Sequence, residues 1–163
     1  METKFRKPEL SDGESIYFLA QSCPPLEINS IYSYLLVCSH FDQTSAVCEY
    51  KGDIVGFVSG YVHPYQDDTL FIWQVAVSDH MRGKGIAKQM LLHILKRREL
   101  GNIRHVEATV TQGNESSRAL FTGLAGHLDA PVSEECYFGQ EVFLESRHQE
   151  EFLISIGPFT FLK

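Results

Sequence analysis

The sequence predicts an α/β fold in which short strands and amphipathic helices alternate. One observation is residues 70–90, LFIWQVAVSDHMRGKGIAKQM, where an apolar run, a glycine-containing turn and a helical stripe follow one another. The other is size and composition. The chain has 163 residues, of which 44% are hydrophobic and 21% charged, as is typical of one globular domain with one core. We therefore expect residues 1–163 to form a single domain.

The amino-terminal part predicts one strand and a first helix. Phe5–Pro8 has the pattern of a short strand. Ser11 or Asp12 can cap a helix that stops at Pro24-Pro25, because proline cannot continue a helix. The face of this helix expected to be buried consists of Ile16, Phe18, Leu19 and Ala20.

A second helix is expected within Glu27–Cys38, EINSIYSYLLVC, and should begin near Asn29 or Ser30. Residues three and four positions apart share a helix face. On that spacing the residues that share one face are Ile31, Leu35 and Cys38, while Tyr32 and Tyr34 project elsewhere.

The middle of the chain predicts three strands. Ser45–Tyr50 and Ile54–Tyr61 flank Lys51-Gly52-Asp53, which suits a hairpin. The run Leu70–Val77 follows, and Gln74 is its only strongly polar residue. Such a short apolar run predicts a strand buried on both faces.

After the glycine turn the apolar residues recur at the helical period, which predicts a third helix. Its stripe consists of Ile86, Ala87, Met90, Leu91, Ile94 and Leu95. Gly101-Asn102 is a signal for the end of this helix. The next segment, His105–Thr111, alternates polar and apolar residues and predicts another strand.

The last part of the chain predicts one more helix and one more strand. Asn114 can cap a short helix that carries Phe121 and Leu124 and ends at Gly126. We expect a loop at His127–Glu135 and a strand at Glu151–Ile156.

The glycine turn between the apolar run and the third helix is a candidate anion site. The first N–H groups of a helix lack partners within it, and glycine lets a ligand approach the backbone. A Walker loop is excluded because Lys84 is followed by Gly85 rather than by Ser or Thr. The Rossmann fingerprint is excluded because Gly83 and Gly85 are not followed by its third glycine.

Arg82-x-x-Gly85-x-Ala87 resembles the acyl-CoA signature of the Gcn5-related N-acetyltransferases. The predicted element order, β-α-α-β-β-β-α-β-α-β, is also that of this family. The resemblance implies a mixed, mostly antiparallel sheet with helices on both faces, and acetyl-CoA as co-substrate. It further implies that the strands at Leu70–Val77 and His105–Thr111 splay apart and hold the pantetheine arm between them.

The resemblance also implies which residues bind the cofactor. Pantetheine would lie along the backbone of Val75, Ala76 and Val77. Asn114 would contact it from the other side, although Asn at a helix start is as often a cap alone. The N–H groups that would bind the pyrophosphate belong to Arg82, Gly83, Lys84, Gly85, Ile86 and Ala87.

Two further segments resemble a narrower family, the L-2,4-diaminobutyrate acetyltransferases of ectoine biosynthesis. They are residues 24–34, PPLEINSIYSY, in which Glu27 stands where Asp is typical, and residues 70–77, LFIWQVAV. His148-x-x-Glu151 fits the same family. The resemblance implies acetylation of the side-chain (γ) amine and a homodimer.

A diamino acid carries two ammonium groups and a carboxylate, so its site needs acidic side chains. Glu27 and Glu151 are candidates, unless they are solvated surface acids. Trp73 could wall the alkyl chain or face an ammonium group, or it could be a core aromatic. The full set of candidate substrate-binding residues is Glu27, Asn29, Tyr32, Tyr34, Trp73, Gln74 and Glu151.

Direct attack on the thioester needs a neutral amine, so some group must accept a proton. Many relatives carry a glutamate base on the central strand and a tyrosine acid on the later helix, but this sequence has Gln74 and Phe121 there. Glu27 or Glu151, directly or through water, is the first candidate base. Tyr32 and His148 are second choices.

Bulk properties narrow the function further. The net charge of −7 argues against nucleic acid and mildly favours cationic substrates. The four cysteines lack metal-site spacing, which predicts reduced thiols and no metal. There is no membrane-length apolar run or signal-peptide core, so we expect a cytoplasmic protein. The alternatives left open are an acetyltransferase for another small amine and a non-catalytic acyl-CoA-binding module.

Overall fold

The computed structural model describes residues 2–160, and within them it contains seven strands and four α-helices. In chain order these are β1 (Lys4–Arg6), α1 (Gly13–Gln21), α2 (Ile31–His40), β2 (Ala46–Tyr50), β3 (Asp53–Val62), β4 (Thr69–Val77), α3 (Ile86–Leu95), β5 (His105–Thr111), α4 (Glu115–His127), β6 (Val132–Phe138) and β7 (Glu151–Ile156).

The strands hydrogen-bond in the order β1-β2-β3-β4-β5-β7-β6. The β4–β5 pair is parallel, whereas the pairs β1–β2, β2–β3, β5–β7 and β6–β7 are antiparallel. The predicted mixed, mostly antiparallel sheet is therefore confirmed. The chain divides into two compact units. The first comprises the described residues as far as Tyr61 together with Trp73–Gly101, and the second comprises Val62–Ile72 and the described residues from Asn102 onward.

In the first unit, helices cover both faces of the β2–β3 pair. Val47 and Phe57 belong to the buried cluster formed with α1 and α2. Their neighbours Cys48 and Gly56 point the other way, towards α3, because successive strand residues face opposite sides. A Cβ added at Gly56 would lie 3.0 Å from Met90 Cε and 3.2 Å from Ile86 Cγ2. A larger residue at position 56 would therefore require Met90 and Ile86 to move by a few tenths of an ångström.

In the second unit, β5 is the strand whose sequence pattern matches the structure most closely. Val106, Ala108 and Val110 are buried, and the residues between them are half-buried, as the alternation predicts. The parallel ladder with β4 runs from Thr69↔His105 to Ile72↔Ala108 and ends there, although β4 continues to Val77. On its other edge β5 pairs with β7, and α4 lies against β7.

Two predicted burial patterns are wrong, and the helix face predicted for α2 does not coincide with its buried face. β4 is not buried on both faces, because its even-numbered residues from Leu70 to Ala76 are buried while Trp73 is exposed. On α1, Phe18 is 58% exposed, so it does not belong to the buried stripe. On α2 the buried residues are Tyr34, Val37 and Cys38, and Ile31 is exposed.

Three predicted boundaries are also wrong. α3 ends at Leu95, well before Gly101, and the turn 98–100 follows it. α4 runs through Gly126 to His127. Four of the nine residues of the loop expected at His127–Glu135 are instead part of β6, whose residues are all exposed. A strand without a buried face lacks the alternation of apolar residues that identifies strands in a sequence.

Asp12 forms an ion pair inside the first unit. Its two carboxylate oxygens accept hydrogen bonds from Arg6 at 2.7 and 2.9 Å, and one of them also accepts from the Glu9 N–H at 2.7 Å. Burial would raise the pKa of Asp12, but these hydrogen bonds outweigh burial and hold the pKa below its ordinary value. Asp12 is therefore charged in the folded protein at neutral pH. It is not the side-chain cap expected for α1, because its oxygens are taken by Arg6 and Glu9.

We expect Asp12→Asn to lower the free energy of unfolding at pH 7 by about 2 kcal/mol, the order of a hydrogen bond to a charged group. Because the folded-state pKa is depressed, this contribution is complete above the unfolded pKa of about 4 and is lost as pH falls through the folded-state value. Urea unfolding at pH 7 and at pH 3 measures it. Asp67→Asn, at an exposed carboxylate, is the control. An equal deficit at both pH values would contradict the prediction.

Candidate functional site

The chain leaves β4 through a turn that left-handed glycines make possible. Gly83 and Gly85 both have φ of +73°, a conformation that side chains with a Cβ rarely adopt. Gly85 is the N-cap of α3, and no side chain caps this end of the helix. Its carbonyl accepts the first helical hydrogen bond, from Gln89 N–H at 3.0 Å. The N-terminus of α3 is therefore built as the sequence predicts for an anion site.

Two cationic side chains fold back onto the backbone beside this turn. Arg82 donates from Nε to the Val77 carbonyl at 3.1 Å and pairs with Asp79 at 2.9 Å. Lys84 donates from Nζ to the His80 carbonyl at 2.8 Å. These contacts stiffen the turn, and the two cationic groups add positive electrostatic potential to it. Their direct contact with an anion stays a prediction.

Val75 and Val77 are half-buried and belong to the more open face of β4. The Val77 carbonyl accepts hydrogen bonds from both Arg82 Nε and Cys23 Sγ, the latter at 3.4 Å. Two donors occupy the two lone pairs of a carbonyl oxygen. This carbonyl is therefore already engaged by the protein, and the backbone at Val75 is the better candidate for the predicted cofactor contact.

Trp73 and Gln74 project from opposite faces of β4. Trp73 is 51% exposed, so the alternative that it is a core aromatic is wrong. Gln74 is 6% exposed, and its Nε2 donates to the backbone carbonyl of Glu27 at 2.7 Å. That hydrogen bond brings the backbone of Glu27 to β4, while the Glu27 residue itself is exposed. The NH₂ group of Gln74 is thus already engaged in a hydrogen bond within the protein.

The residues predicted around α2 differ in how exposed they are. Ser30 caps the helix, since its hydroxyl accepts from the Ser33 N–H at 3.2 Å. Tyr32 is exposed and accessible to a solute. Tyr34 is 1% exposed, and its hydroxyl accepts from the Asn29 N–H at 3.3 Å. Tyr34 is therefore a core residue that holds Asn29, and the expectation that it projects elsewhere is wrong. It lies three residues after Ile31 and four before Cys38, a spacing that places it on their side of the helix.

In the second unit the structure brings His148 and Glu151 together. His148 Nε2 lies 3.5 Å from Glu151 Oε1, which makes an ion pair when the imidazole is protonated. His148 Nδ1 lies 2.6 Å from the Gln149 carbonyl and therefore carries a hydrogen, because a carbonyl only accepts. The ring of Phe143 stacks on that of His148 at 4.5 Å. Glu151 is half-buried, so it is not a fully solvated surface acid.

Asn114 and Phe121 lie on α4 in the same unit. The Asn114 side-chain oxygen accepts from the Ser117 N–H at 3.1 Å, so the capping alternative is confirmed for that oxygen. Its NH₂ group is the one that could meet pantetheine, and this stays a prediction. Phe121 is buried and has no hydroxyl, so it cannot supply a proton.

The second unit also contains a polar cleft that the sequence analysis missed. It has a volume of about 380 Å³. Its lining residues are Gln112, Gly113, Gln140, Gln149 and Glu150. Three amides and one carboxylate offer hydrogen bonds but no distinctive spacing, so no sequence motif marks them.

Other structural features bear on the class of function. Cys23, Cys38 and Cys48 are buried and Cys136 is exposed, all as free thiols. Burial raises the pKa of Cys38 and Cys48 to about 11, which makes these thiols unreactive. Across residues 2–160 there is no cluster of three His, Cys, Asp or Glu side chains suited to a metal. Nor does any helix in that range have the length and apolar character to span a membrane.

Comparison with known proteins places these features in a family. Residues 13–126 match the family model described as the acetyltransferase (GNAT) family. The L-2,4-diaminobutyric acid acetyltransferase of Bordetella parapertussis is 47% identical over 156 residues, which is 95% of this chain and 84% of that protein. The enzyme of the same name from Virgibacillus pantothenticus is 43% identical over 93% of this chain and 95% of its own length.

Solved structures give the same result. Diaminobutyrate acetyltransferase EctA from Paenibacillus lautus, in complex with its substrate L-2,4-diaminobutyric acid and coenzyme A, matches with a TM-score of 0.93 and 37% identity. The match covers 99% of this chain and 98% of that one. Ard1 from Thermoplasma volcanium matches with a TM-score of 0.75 at 18% identity, which supports the fold alone.

Proposed function

This chain belongs to the GNAT acetyltransferase family, and from that premise we propose that it acetylates L-2,4-diaminobutyrate on its side-chain amine. The enzyme is an acyltransferase and acetyl-CoA is its co-substrate. The assignment of the substrate rests on the match, over nearly the whole chain, to the EctA structure in complex with diaminobutyrate and coenzyme A. The reaction is a step of ectoine synthesis.

The glycine turn at the start of α3 is our proposed site for the CoA pyrophosphate. Gly83 and Gly85 keep the backbone in the left-handed conformation, and the N-terminus of α3 has no side-chain cap. A pyrophosphate would accept from these N–H groups and gain from the helix dipole. The backbone of Val75 would hold the pantetheine arm along β4. Asn114 would contribute its NH₂ group.

The chemistry needs one proton acceptor. The amine nitrogen forms a bond to the thioester carbon, the C–S bond breaks, and the nitrogen loses a proton. An alkyl amine has a pKa of about 10, so only about one molecule in a thousand is neutral at pH 7. The departing thiolate, with a thiol pKa of about 8.5, can leave without a dedicated acid. This suits Phe121, which has no proton to give.

We propose Glu151 as the base and Glu27 as a clamp for an ammonium group. Tyr32, which is exposed on α2, is a second candidate for the base. The burial of Glu151 and its contact with His148 support the first assignment. The exposure of Glu27 suits a residue that meets a charged substrate. Gln74 is not a base, because it is an amide whose NH₂ is already donated.

The first prediction concerns the glycine turn. Gly85→Val is expected to weaken acetyl-CoA binding at least tenfold, because a β-branched residue is strained at φ of +73° and displaces the N–H groups. Isothermal titration calorimetry measures the change. Gly52→Val is the matched control, since Gly52 has φ of +90° and open space around it but lies in the β2–β3 hairpin. If Gly85→Val and Gly52→Val bind acetyl-CoA with the same affinity, the proposed pyrophosphate site is wrong.

The second prediction concerns the acceptor side. Trp73→Ala and Glu27→Ala should each raise KM for diaminobutyrate about tenfold or more and leave KM for acetyl-CoA unchanged. Loss of one charge-assisted hydrogen bond or one aromatic wall has this magnitude. Phe18→Ala, at an exposed aromatic of α1, is the control for Trp73→Ala. If both variants keep the wild-type KM, the acceptor site does not include these residues.

The third prediction tests the function itself. With diaminobutyrate and acetyl-CoA the enzyme should release CoA and form the γ-acetyl product. A carboxylate and an α-ammonium form a head that a site can hold in fixed geometry, which leaves the γ-amine to reach the thioester. Proton–carbon NMR locates the acetyl group. Mainly α-acetyl product would end the ectoine assignment. Faster CoA release with a polyamine would identify another acceptor, and no release with any amine would indicate a binding module.

We also propose a cytoplasmic homodimer. Free thiols are typical of a reducing compartment, which supports the cytoplasm. β6 is the terminal strand of the sheet order, and its residues are exposed. It includes Val132, Tyr137 and Phe138, which are exposed apolar residues. Proteins normally cover or protect such residues on an edge strand. A second copy of the chain is our proposed cover.

The dimer is expected to depend on this edge. Light scattering after size-exclusion chromatography should give twice the chain mass for the wild type. Combining Val132→Lys with Phe138→Lys should give the monomer, because lysines on an edge strand oppose pairing. Tyr65→Lys, at a side chain that is 91% exposed between β3 and β4, is the control and should remain dimeric. A wild-type monomer would contradict the proposal.

A further inference from the structure

Gln74 is a buried amide on the part of β4 that belongs to the first unit. Strand alternation directs it to the same side as Ala76, which belongs to the core cluster with α1 and α2. Its Nε2 donates to the Glu27 carbonyl at 2.7 Å. This bond joins residues 47 positions apart and is partly buried, with the donor side chain in the core and Glu27 at the surface. Loss of the donor would leave the buried end of the contact without a partner.

The segment that contains Glu27, here called the 23–29 loop, has three further anchors in the same unit. Cys23 Sγ donates to the Val77 carbonyl at 3.4 Å, so the loop is tied to β4 at two points, Val77 and Gln74. The Asn29 N–H donates to the hydroxyl of the buried Tyr34 at 3.3 Å. Leu26 packs against the core cluster between these ties.

The chemistry of the contact requires a donor at position 74. The Glu27 carbonyl can only accept, and the amide of Gln74 supplies an N–H without carrying a charge. An ionised carboxylate at the same place would bring two acceptors together in a buried site, which is unfavourable. A protonated carboxyl would again be a donor. The contact is therefore favourable with an amide at position 74 and unfavourable with an ionised carboxylate there.

We propose that Gln74 is a positioning residue, whose amide holds the 23–29 loop on β4 and so fixes Glu27 for the diamino acid. Position 74 then serves the placement of the loop and takes no part in proton transfer. The effect on catalysis rests on the proposed function, whereas the effect on the loop does not. Two measurements separate these parts.

The first measurement uses the protein without substrates. Gln74→Met keeps the length of the side chain and removes the donor. Hydrogen exchange at the amides of Leu26 and Asn29 is expected to become at least tenfold faster, while exchange in β2 stays unchanged. Gln21→Met, at an exposed glutamine of α1, is the matched control and should leave exchange unchanged. Wild-type exchange rates in Gln74→Met would overturn the proposal.

The second measurement uses Gln74→Glu and the acetyltransferase assay. At pH 8 the introduced carboxylate repels the Glu27 carbonyl, and KM for diaminobutyrate should rise at least tenfold, with KM for acetyl-CoA unchanged. As pH falls through the titration of the introduced carboxyl, the ratio of its KM to that of the wild type at the same pH should return towards one. In Gln74→Met the ratio should stay raised at every pH. Recovery at low pH also excludes misfolding as the cause.

Each result has a separate meaning. A higher kcat of Gln74→Glu at high pH would indicate that position 74 can act as a base, and it would overturn the proposal. An unchanged KM in both variants would overturn it as well. Faster loop exchange in Gln74→Met, together with no activity of the wild type on diaminobutyrate, would support the tether and reject the proposed function instead.

Discussion

The left-handed backbone at Gly83 and Gly85 is the constraint on which the rest of the first unit depends. It turns the chain from β4 into α3 and leaves the first N–H groups of that helix without a side-chain cap. Packing also holds α3 in place, because Ile86 and Met90 lie so close to Gly56 that an added Cβ would come within 3.0 to 3.2 Å of them. The candidate anion site is therefore held by the core and not by the turn alone.

The two faces of β4 differ in burial and in the contacts that they make. Its even-numbered residues enter the core, and Gln74 uses that side to hold the loop that carries Glu27. Its odd-numbered residues from Phe71 onward, Trp73 among them, remain wholly or partly open. A buried polar side chain on the inner face is tolerated because its donor is satisfied. One strand thus carries an exposed aromatic on one face and a loop anchor on the other.

In the second unit, Glu151 is positioned by strand pairing on both sides. It is the first residue of β7 and lies opposite Thr111 of β5 and Phe138 of β6. His148 reaches it from the preceding loop, and Phe143 supports the imidazole by stacking. A carboxylate at the start of a strand that is paired on both edges has little freedom to move, which supports the proposal that it accepts a proton at a defined place.

The sequence by itself determined the features that depend on local period and backbone chemistry. These include the glycine turn before α3, the alternation of β5, the cap at Ser30 and the family motifs around Glu27. Tertiary structure decided what depends on neighbours distant in the chain. It exposed Trp73, brought the Asn29 N–H to the Tyr34 hydroxyl, and engaged Gln74 with the Glu27 carbonyl. It also made β6 a strand without a buried face. Side-chain spacing cannot predict such features, because burial and hydrogen-bond partners are set by which elements pack together.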